Sequence, residues 1–388
     1  MSGNMEDKGR QKTKPRFTFA GSMRPTLLSL LLSSLVFSAP AQTELTRLDS
    51  TLSSTYRPDR PGAAVAVIKG GRLIFKKGYG VSDLASKNSI TTATNFNIGS
   101  MTKQFTAYGI LMLRAKGSLS LSDPISKYFP HFVPHIANSV TIRHLLTHSS
   151  GIVNHYPYVN TTPFREFRDD GVLEAVQNID SSYFPPGSRY RYSNTGFCLL
   201  SQIIEKVSGT SYPAFIAENI YAPLGMTRSG VIHHDFTIAD RAIGYDCSGD
   251  TCTRDDANES FFFSTMGDGG IYTSMDDYLK WIGPIMQKKG AGESLIEEAR
   301  APQFPIDSAR HVSYGFGWFV AGSGTNQMVY HTGSNGGFRA IVVTKPSEGY
   351  AVVILSNRTG VDLEDLARAI SALFGVDDSA YVKLDSLI

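Results

Sequence analysis

Two residues near position 100 have the types and the spacing needed for nucleophilic catalysis. Ser100 and Lys103 form a Ser-x-x-Lys tetrad at the start of a predicted helix. Because three residues are nearly one helical turn, the two side chains face the same way and their heads can form a hydrogen bond. A serine hydroxyl needs an adjacent base, and a lysine becomes one when burial lowers the pKa of its ammonium group. The tetrad alone is equally typical of a solvent-facing helix start, since about one chance match is expected in a chain of this length.

Two further motifs place polar side chains beside turns. A Tyr-x-Asn motif, Tyr192 with Asn194, follows a Pro-Pro-Gly-Ser stretch and leads into a predicted helix. A second motif enters a predicted strand near the C-terminus and consists of His331, Thr332 and Gly333, followed by Ser334.

In order and separation, these motifs resemble the Ser-x-x-Lys, Tyr-x-Asn and Lys-Thr-Gly elements of the serine β-lactamase and penicillin-binding-protein family. The Tyr-x-Asn form is similar to that of class C β-lactamases and of related Streptomyces-type DD-peptidases, D-aminopeptidases and esterases. Further segments that resemble this family lie at 96–99, 145–151, 223–226 and 267–270. The resemblance covers the chain from about residue 45 onward and identifies it as a member.

The resemblance implies a role for each motif residue. Ser100 is expected to form an acyl-enzyme, and Lys103 and Tyr192 to share the proton transfers, with the choice of general base open between these two. Asn194 is expected to orient Lys103 and to bind the substrate amide. The backbone N–H groups of Ser100 and Ser334 are expected to form the oxyanion hole. The other substrate-binding residues implied are His331, Thr332 and Gly333.

His331 stands where β-lactamases mostly carry lysine. A histidine has an unperturbed pKa of about 6.5 and is largely neutral at pH 7, so it attracts a substrate carboxylate less than lysine does. His-Thr-Gly also occurs in the Streptomyces-type DD-peptidases and the D-aminopeptidase-like relatives. The difference therefore favours a peptidase or esterase over an efficient β-lactamase.

The sequence thus predicts an exported serine hydrolase that cleaves amide or ester bonds through an acyl-serine, without cofactor or metal. The expected substrates are small molecules or peptides: D-residue peptides, peptidoglycan-like fragments or small esters. Whether β-lactams are hydrolysed, trapped or ignored is left open. Two alternatives remain, a class C-like β-lactamase and a penicillin-recognising sensor or binder with negligible turnover. His144 and His148 lack the glutamate of the metalloprotease motif, and no Gly-x-Ser-x-Gly nucleophile elbow occurs in the chain.

These motifs must be positioned by the surrounding secondary structure. Strands are predicted near both ends of the mature chain, and helices between them. A strand over 61–68, a Gly-Gly turn and a strand over 73–75 predict a hairpin. Strands are also predicted over 338–344 and 350–355, and an amphipathic helix over 362–374. Further helices are predicted from Ser100 to a stop at Gly117 and over 195–207.

This order predicts an α+β fold of the β-lactamase/transpeptidase type, an antiparallel sheet flanked by helices. Its strands come from distant parts of the sequence. We expect the sheet region to comprise 42–115 and 255–388, with an inserted helical region over 116–254.

The N-terminal residues 1–41 have the composition of a secretory signal peptide. A basic stretch precedes a short apolar run that ends in Ala39-Pro40-Ala41, so we expect cleavage near Ala41 and a periplasmic or secreted protein without a membrane span. This segment holds six of the 37 Lys and Arg residues but two of the 35 Asp and Glu, so the rest has a formal charge of −2 instead of +2. That charge does not indicate a nucleic-acid partner.

Cys247 and Cys252 bracket a turn-like Ser-Gly-Asp-Thr sequence. In an oxidising compartment they can close a short disulfide, and free thiols are the alternative. Cys198 lies in an apolar run and is expected in the core.

Overall fold

The strands and helices of the protein lie within residues 39–159, 167–233, 237–256, 264–287 and 293–387, which a computed structural model describes. The strands are β1 (Ala63–Lys69), β2 (Arg72–Tyr79), β3 (Asn95–Asn97), β4 (Gly230–Val231), β5 (Tyr245–Ser248), β6 (Thr251–Arg254), β7 (Ile271–Ser274), β8 (Phe304–Asp307), β9 (Val312–Tyr314), β10 (Phe319–Ala321), β11 (Met328–Asn335), β12 (Phe338–Lys345) and β13 (Tyr350–Ser356). The helices are α1 (Ala39–Thr55), α2 (Lys103–Ala115), α3 (Pro134–Ser139), α4 (Ile142–Leu146), α5 (Asp169–Val176), α6 (Asn194–Ser208), α7 (Tyr212–Ile216), α8 (Ala222–Leu224), α9 (Met275–Gln287), α10 (Glu293–Ala299) and α11 (Leu363–Leu373).

One eight-stranded sheet joins the two ends of the described chain in the order β2-β1-β13-β12-β11-β10-β9-β8. Its pairings are antiparallel, and β1 pairs with β13 so that Val65 lies opposite Ile354. The predicted hairpin is confirmed: Gly70 and Gly71 both have positive φ, which suits the tight turn between β1 and β2. The predicted antiparallel sheet flanked by helices is confirmed as well.

Both faces of this sheet are covered by apolar packing. Because side chains alternate along a strand, Ala64 faces one hydrophobic cluster and Val65 faces the other. The first cluster contains Ile110 of α2 and other residues of the central helices. The second contains Leu52 of α1 and Ile370 of α11. The sheet is therefore the middle layer, with the helices that carry the motif residues on one side.

The predicted helix at Ser100 begins differently in the structure. Ser100 lies in a 3-10 turn, Gly99–Thr102, and Lys103 is the first residue of α2. In a 3-10 turn the side chains three residues apart are eclipsed, whereas an ideal α-helix offsets them. The turn therefore aligns Ser100 with Lys103 more closely than the predicted helix would.

The described residues from Pro40 onward form one compact unit, and the boundaries near 116 and 254 stay a prediction about its organisation. The predicted signal peptide lies almost wholly outside the described residues. No helix among the described residues has both the length and the apolar composition that a membrane span requires.

Candidate active site

The turn that carries Ser100 packs directly against strand β11. A Cβ atom on Gly333 would lie only 1.9 Å from the carbonyl oxygen of Ile98, so only glycine permits this approach. The side chain of Asn97 at the end of β3 accepts hydrogen bonds from the Gly99 amide at 2.8 Å and from Asn335 at 3.1 Å. The strand and the turn are therefore joined through both backbone contact and side-chain hydrogen bonds.

The Lys103 side chain is fully buried and is held by acceptors from separate parts of the chain. Its Nζ donates to Ser100 Oγ at 3.0 Å, to Asn194 Oδ1 at 2.8 Å and to the carbonyl oxygen of Asp268 at 2.8 Å. Burial lowers the pKa of Lys103 to about 8, although the negative charge of Asp268 opposes this shift. A substantial fraction of Lys103 is therefore neutral near pH 8 and can accept the Ser100 proton.

Asn194, the first residue of α6, reaches Lys103 because Ser193 caps that helix. The Ser193 hydroxyl accepts from the Gly196 amide, as an N-cap residue does. Asn194 Nδ2 donates to the hydroxyl of Tyr156 at 2.8 Å. The Asn194 oxygen therefore faces the lysine and its NH₂ group faces Tyr156. The motifs did not reveal Tyr156, which lies 38 residues from Asn194 with no local pattern to mark it.

Tyr192 lies between the lysine and a buried histidine. Lys103 Nζ lies 4.9 Å from the centre of the Tyr192 ring, and the ring of His148 lies 4.3 Å away on centroids. Burial raises the pKa of Tyr192, and an interaction with the Ser100 hydroxyl opposes this rise only in part. Its hydroxyl is buried without a hydrogen-bond partner among the described residues. Tyr192 is thus a protonated phenol whose hydroxyl is available for proton transfer.

His148 is a packing residue held in its neutral form. Its Nδ1 accepts a hydrogen bond from the Ser193 amide at 3.1 Å, and burial together with the Lys103 charge lowers its pKa well below the usual value. His144 instead accepts from the Thr141 amide in the cap of α4. The two imidazoles therefore accept hydrogen bonds from different segments of the chain.

The amides of Ser100 and Ser334 lie on either side of the contact between the turn and β11. A Cβ atom on Gly99 would lie 2.6 Å from the Ser334 nitrogen, and one on Gly333 would lie 3.3 Å from the Ser100 nitrogen. The structure thus brings together the two backbone N–H groups expected to form the oxyanion hole. Ser334 Oγ is on an exposed residue of the strand.

His331 is buried on β11, and its hydrogen bonds hold the neutral form. Its Nδ1 lies 2.6 Å from the carbonyl oxygen of Thr332, so Nδ1 carries the proton, and Nε2 accepts from the Tyr314 hydroxyl at 3.1 Å. Burial, assisted by the Lys103 charge, lowers the pKa of His331 to about 3. Thr332 points to the opposite face of the strand, and its hydroxyl has no hydrogen-bond partner among the described residues.

Three residues that could serve as metal ligands lie close together in the buried core. Ligand atoms of Asp169, Cys198 and Asp268 lie within 4.8 Å of one another. Both carboxylate oxygens of Asp169 already accept backbone hydrogen bonds from residues 266 and 267, so their lone pairs are directed at the protein. That no metal is needed stays a prediction.

The remaining cysteines are bridged. Cys247 on β5 lies opposite Cys252 on β6, and the two form a disulfide across this hairpin. Cys198 is a free, buried thiol, as expected of a core residue.

Comparison with known protein families places this geometry in context. The Beta-lactamase family model matches residues 47–374. Protein flp of Staphylococcus aureus (strain NCTC 8325 / PS 47) is 29% identical over 301 residues, covering 76% of this chain and 59% of that protein. Penicillin-binding protein 4* of Bacillus subtilis (strain 168) is 29% identical over 308 residues, covering 76% of this chain and 67% of that protein. The chain thus spans less than two thirds of the length of flp.

Solved structures share the fold over most of the chain. The octameric penicillin-binding protein homologue from Pyrococcus abyssi superposes with a TM-score of 0.74 and 27% identity, covering 87% of this chain and 78% of that one. The penicillin-binding protein from Bacillus halodurans superposes with a TM-score of 0.72 and 25% identity, covering 87% and 100% respectively.

Proposed function

This chain belongs to the beta-lactamase family of serine hydrolases and penicillin-binding proteins, and on that basis we propose that it cleaves amide or ester bonds through an acyl intermediate on Ser100. The observation that carries the proposal is the buried Lys103 amine, which lies 3.0 Å from the Ser100 hydroxyl. A neutral amine at that distance is an effective general base for a serine. No cofactor enters the proposed reaction.

In the proposed mechanism Lys103 is the base and Tyr192 is the proton relay. The neutral amine takes the Ser100 proton while Oγ bonds to the substrate carbonyl carbon. The proton then passes through the Tyr192 hydroxyl to the leaving nitrogen or oxygen, whose bond to carbon breaks. Burial raises the pKa of Tyr192 and lowers that of Lys103, which supports this division of roles. Water hydrolyses the acyl-serine by the reverse path.

The remaining groups bind the substrate and its developing charge. The Ser100 and Ser334 amides would stabilise the oxyanion, and losing one such donor typically costs about 10²–10³ in rate. Asn194 would bind the substrate amide, and β11 at Gly333 would line the cleft. Thr332 is assigned to substrate binding by the resemblance alone.

Because His331 on β11 is neutral, it supports a preference for substrates that do not need a positive charge there for binding. We therefore propose D-residue peptides, peptidoglycan-like fragments or small esters. The Bacillus subtilis relative carries the name of a penicillin-binding protein, which supports recognition of a β-lactam or of the peptide that it mimics. A class C-like β-lactamase and a sensor with negligible turnover are the competing outcomes.

Export of the protein is part of the proposal. The basic and apolar composition of residues 1–41 supports it, and so does the Cys247–Cys252 bridge, because disulfides persist in oxidising compartments. The proposed location is the periplasm or the cell exterior.

The test is intact-mass spectrometry of the protein mixed with benzylpenicillin, followed from seconds to hours. We expect an adduct on Ser100 that is absent in Ser100→Ala and present in Ser118→Ala, a matched change at an exposed serine. Slow decay of the adduct, together with hydrolysis of D-aminoacyl peptides or esters in a separate assay, supports a peptidase or an esterase. Rapid loss of free penicillin identifies a β-lactamase, and a lasting adduct without any turnover identifies a sensor. Acylation that persists in Ser100→Ala overturns the proposal.

A further inference from the structure

A buried carboxylate at the start of α5 is unexplained by the catalytic motifs. Asp169 is 1% exposed, and its two oxygens accept hydrogen bonds from the backbone amides of Met266 and Gly267, each at 2.9 Å. Ser201 on α6 also donates to this carboxylate. Asp169 therefore joins α5 and α6 to the segment that precedes β7.

That segment supplies carbonyl acceptors to the catalytic centre. The Asp268 carbonyl accepts a hydrogen bond from the Lys103 amine, and the Gly269 carbonyl accepts one from the Asn97 side chain at 3.2 Å. The Gly267 carbonyl accepts from Thr106 on α2 at 2.6 Å. Residues 266–269, here called the carbonyl segment, thus fix the lysine and the base of the turn that carries Ser100.

At Gly267 the carbonyl segment lies too close to α6 to leave room for a side chain. A Cβ atom on Gly267 would lie 2.5 Å from the carbonyl oxygen of Phe197 and 2.6 Å from Ser201 Cβ. The buried Met266 side chain packs in the core, but Gly267 has no side chain, so backbone hydrogen bonds must hold the segment there. The two amides that follow one another at 266 and 267 both donate to Asp169.

We propose that Asp169 is a positioning residue, which holds the carbonyl segment so that the Asp268 carbonyl keeps the Lys103 amine against Ser100. The inference rests on the proposed function, but it concerns a residue that touches neither the substrate nor the reacting atoms. The ionised carboxylate, which predominates above pH 7 because burial raises the pKa of Asp169 to about 7, can accept two adjacent N–H groups at once. An amide presents one acceptor and one donor.

Asp169→Asn tests this directly, because one of the two amides then faces an NH₂ group. We expect the rate of acylation by benzylpenicillin to fall at least about tenfold, since small displacements of a catalytic group have large effects on rate. Binding of the intact ligand before acylation should change less than the rate. The midpoint of the Lys103 titration should also move, by about half a pH unit or more, because the amine loses a fixed acceptor.

The matched control is Asp277→Asn. Asp277 is fully buried and also accepts from a backbone amide, that of Arg228 at 2.7 Å, and from a hydroxyl, that of Ser229 at 3.0 Å. We expect this variant to lose stability without a change in acylation rate or in the Lys103 titration. Ser201→Ala, which removes one donor to Asp169 and leaves the segment amides paired, should show a smaller effect in the same direction and covers the case in which Asp169→Asn fails to fold.

The Lys103 titration is measured by isotope-edited NMR of lysine side-chain nitrogens, with Lys103→Met for assignment. This readout needs no substrate, so it decides the positioning role even if the wild-type protein is not acylated and the proposed function fails. An Asp169→Asn protein with the wild-type midpoint and an acylation rate within about twofold of wild type overturns the inference, as does an equal effect from Asp277→Asn.

Discussion

Asn194 donates its amide NH₂ group to the hydroxyl of Tyr156 at 2.8 Å, on the side away from Lys103. This hydrogen bond connects the loop that follows α4 to the first residue of α6. It leaves the Asn194 oxygen free to accept from the lysine, so Tyr156 helps to hold the Asn194 side chain in the position on which the lysine contact depends.

Tyr156→Phe should therefore lower kcat/KM without unfolding the protein. Loss of one hydrogen bond of about 1 kcal/mol corresponds to a fall of roughly three- to tenfold. Tyr158→Phe is the control, because Tyr158 lies in the same loop with 44% exposure. Steady-state kinetics on an ester substrate measures the effect, and equal rates for both variants would exclude the orienting role.

The pH dependence of acylation should report the Lys103 amine. Its pKa is lowered to about 8 by burial, and the neutral form that acts as base predominates above that value. The acylation rate should therefore rise with pH, by about tenfold per unit below pH 7, and level off above pH 8 to 9. A rate that stays constant from pH 6 to 8 would contradict a lysine base.

Lys103→Arg should abolish this dependence together with the activity. An arginine stays protonated throughout the accessible pH range and cannot accept the Ser100 proton. We expect acylation to fall by about 10²–10⁴. His331 should add no step between pH 5 and 8, since its pKa is lowered to about 3 by burial.

Gly333→Ala should damage both stability and acylation. The new Cβ atom would lie 1.9 Å from the Ile98 oxygen, so the turn that carries Ser100 must move away from β11. We expect a loss of about 1–3 kcal/mol in unfolding free energy and at least a tenfold loss in acylation rate. Denaturant unfolding and adduct formation are the two measurements.

Gly283→Ala is the matched control for that change. Gly283 lies inside α9, and a Cβ atom there would meet nothing within 4 Å. Alanine should raise the unfolding free energy by about 0.5–1 kcal/mol, because glycine is the poorer helix former. Acylation should be unchanged. Equal behaviour of the two alanine variants would show that the contact at Gly333 does not position Ser100.

Replacing both Cys247 and Cys252 with serine should affect stability alone. The bridge closes a loop with a sequence separation of 5, so its effect on chain entropy is about 2 kcal/mol. The hairpin of β5 and β6 carries none of the proposed catalytic groups. Unfolding free energy and acylation rate are compared with wild type, and a large fall in acylation would show that the hairpin shapes the cleft.

The sequence alone determined the elements whose signals are local. The pair Ser100 and Lys103 could be identified because contacts between residues three apart depend only on the winding of one turn. The strands β1, β2, β12 and β13 could be placed because apolar residues run between turn residues. The antiparallel sheet could be predicted because these strands lie at both ends of the chain with helices between them. The order of the strands in the sheet and the 3-10 turn at Ser100 were not predicted.

Only the tertiary structure decided how these elements act on one another. Tyr156 meets Asn194 across 38 residues, and Asp169 meets Met266 across 97, with no periodicity or motif to announce either contact. The pKa values of Lys103 and His331 are likewise set by burial, which depends on how several helices close over the sheet. Local sequence specifies which groups are present, whereas their distances and protonation depend on long-range packing.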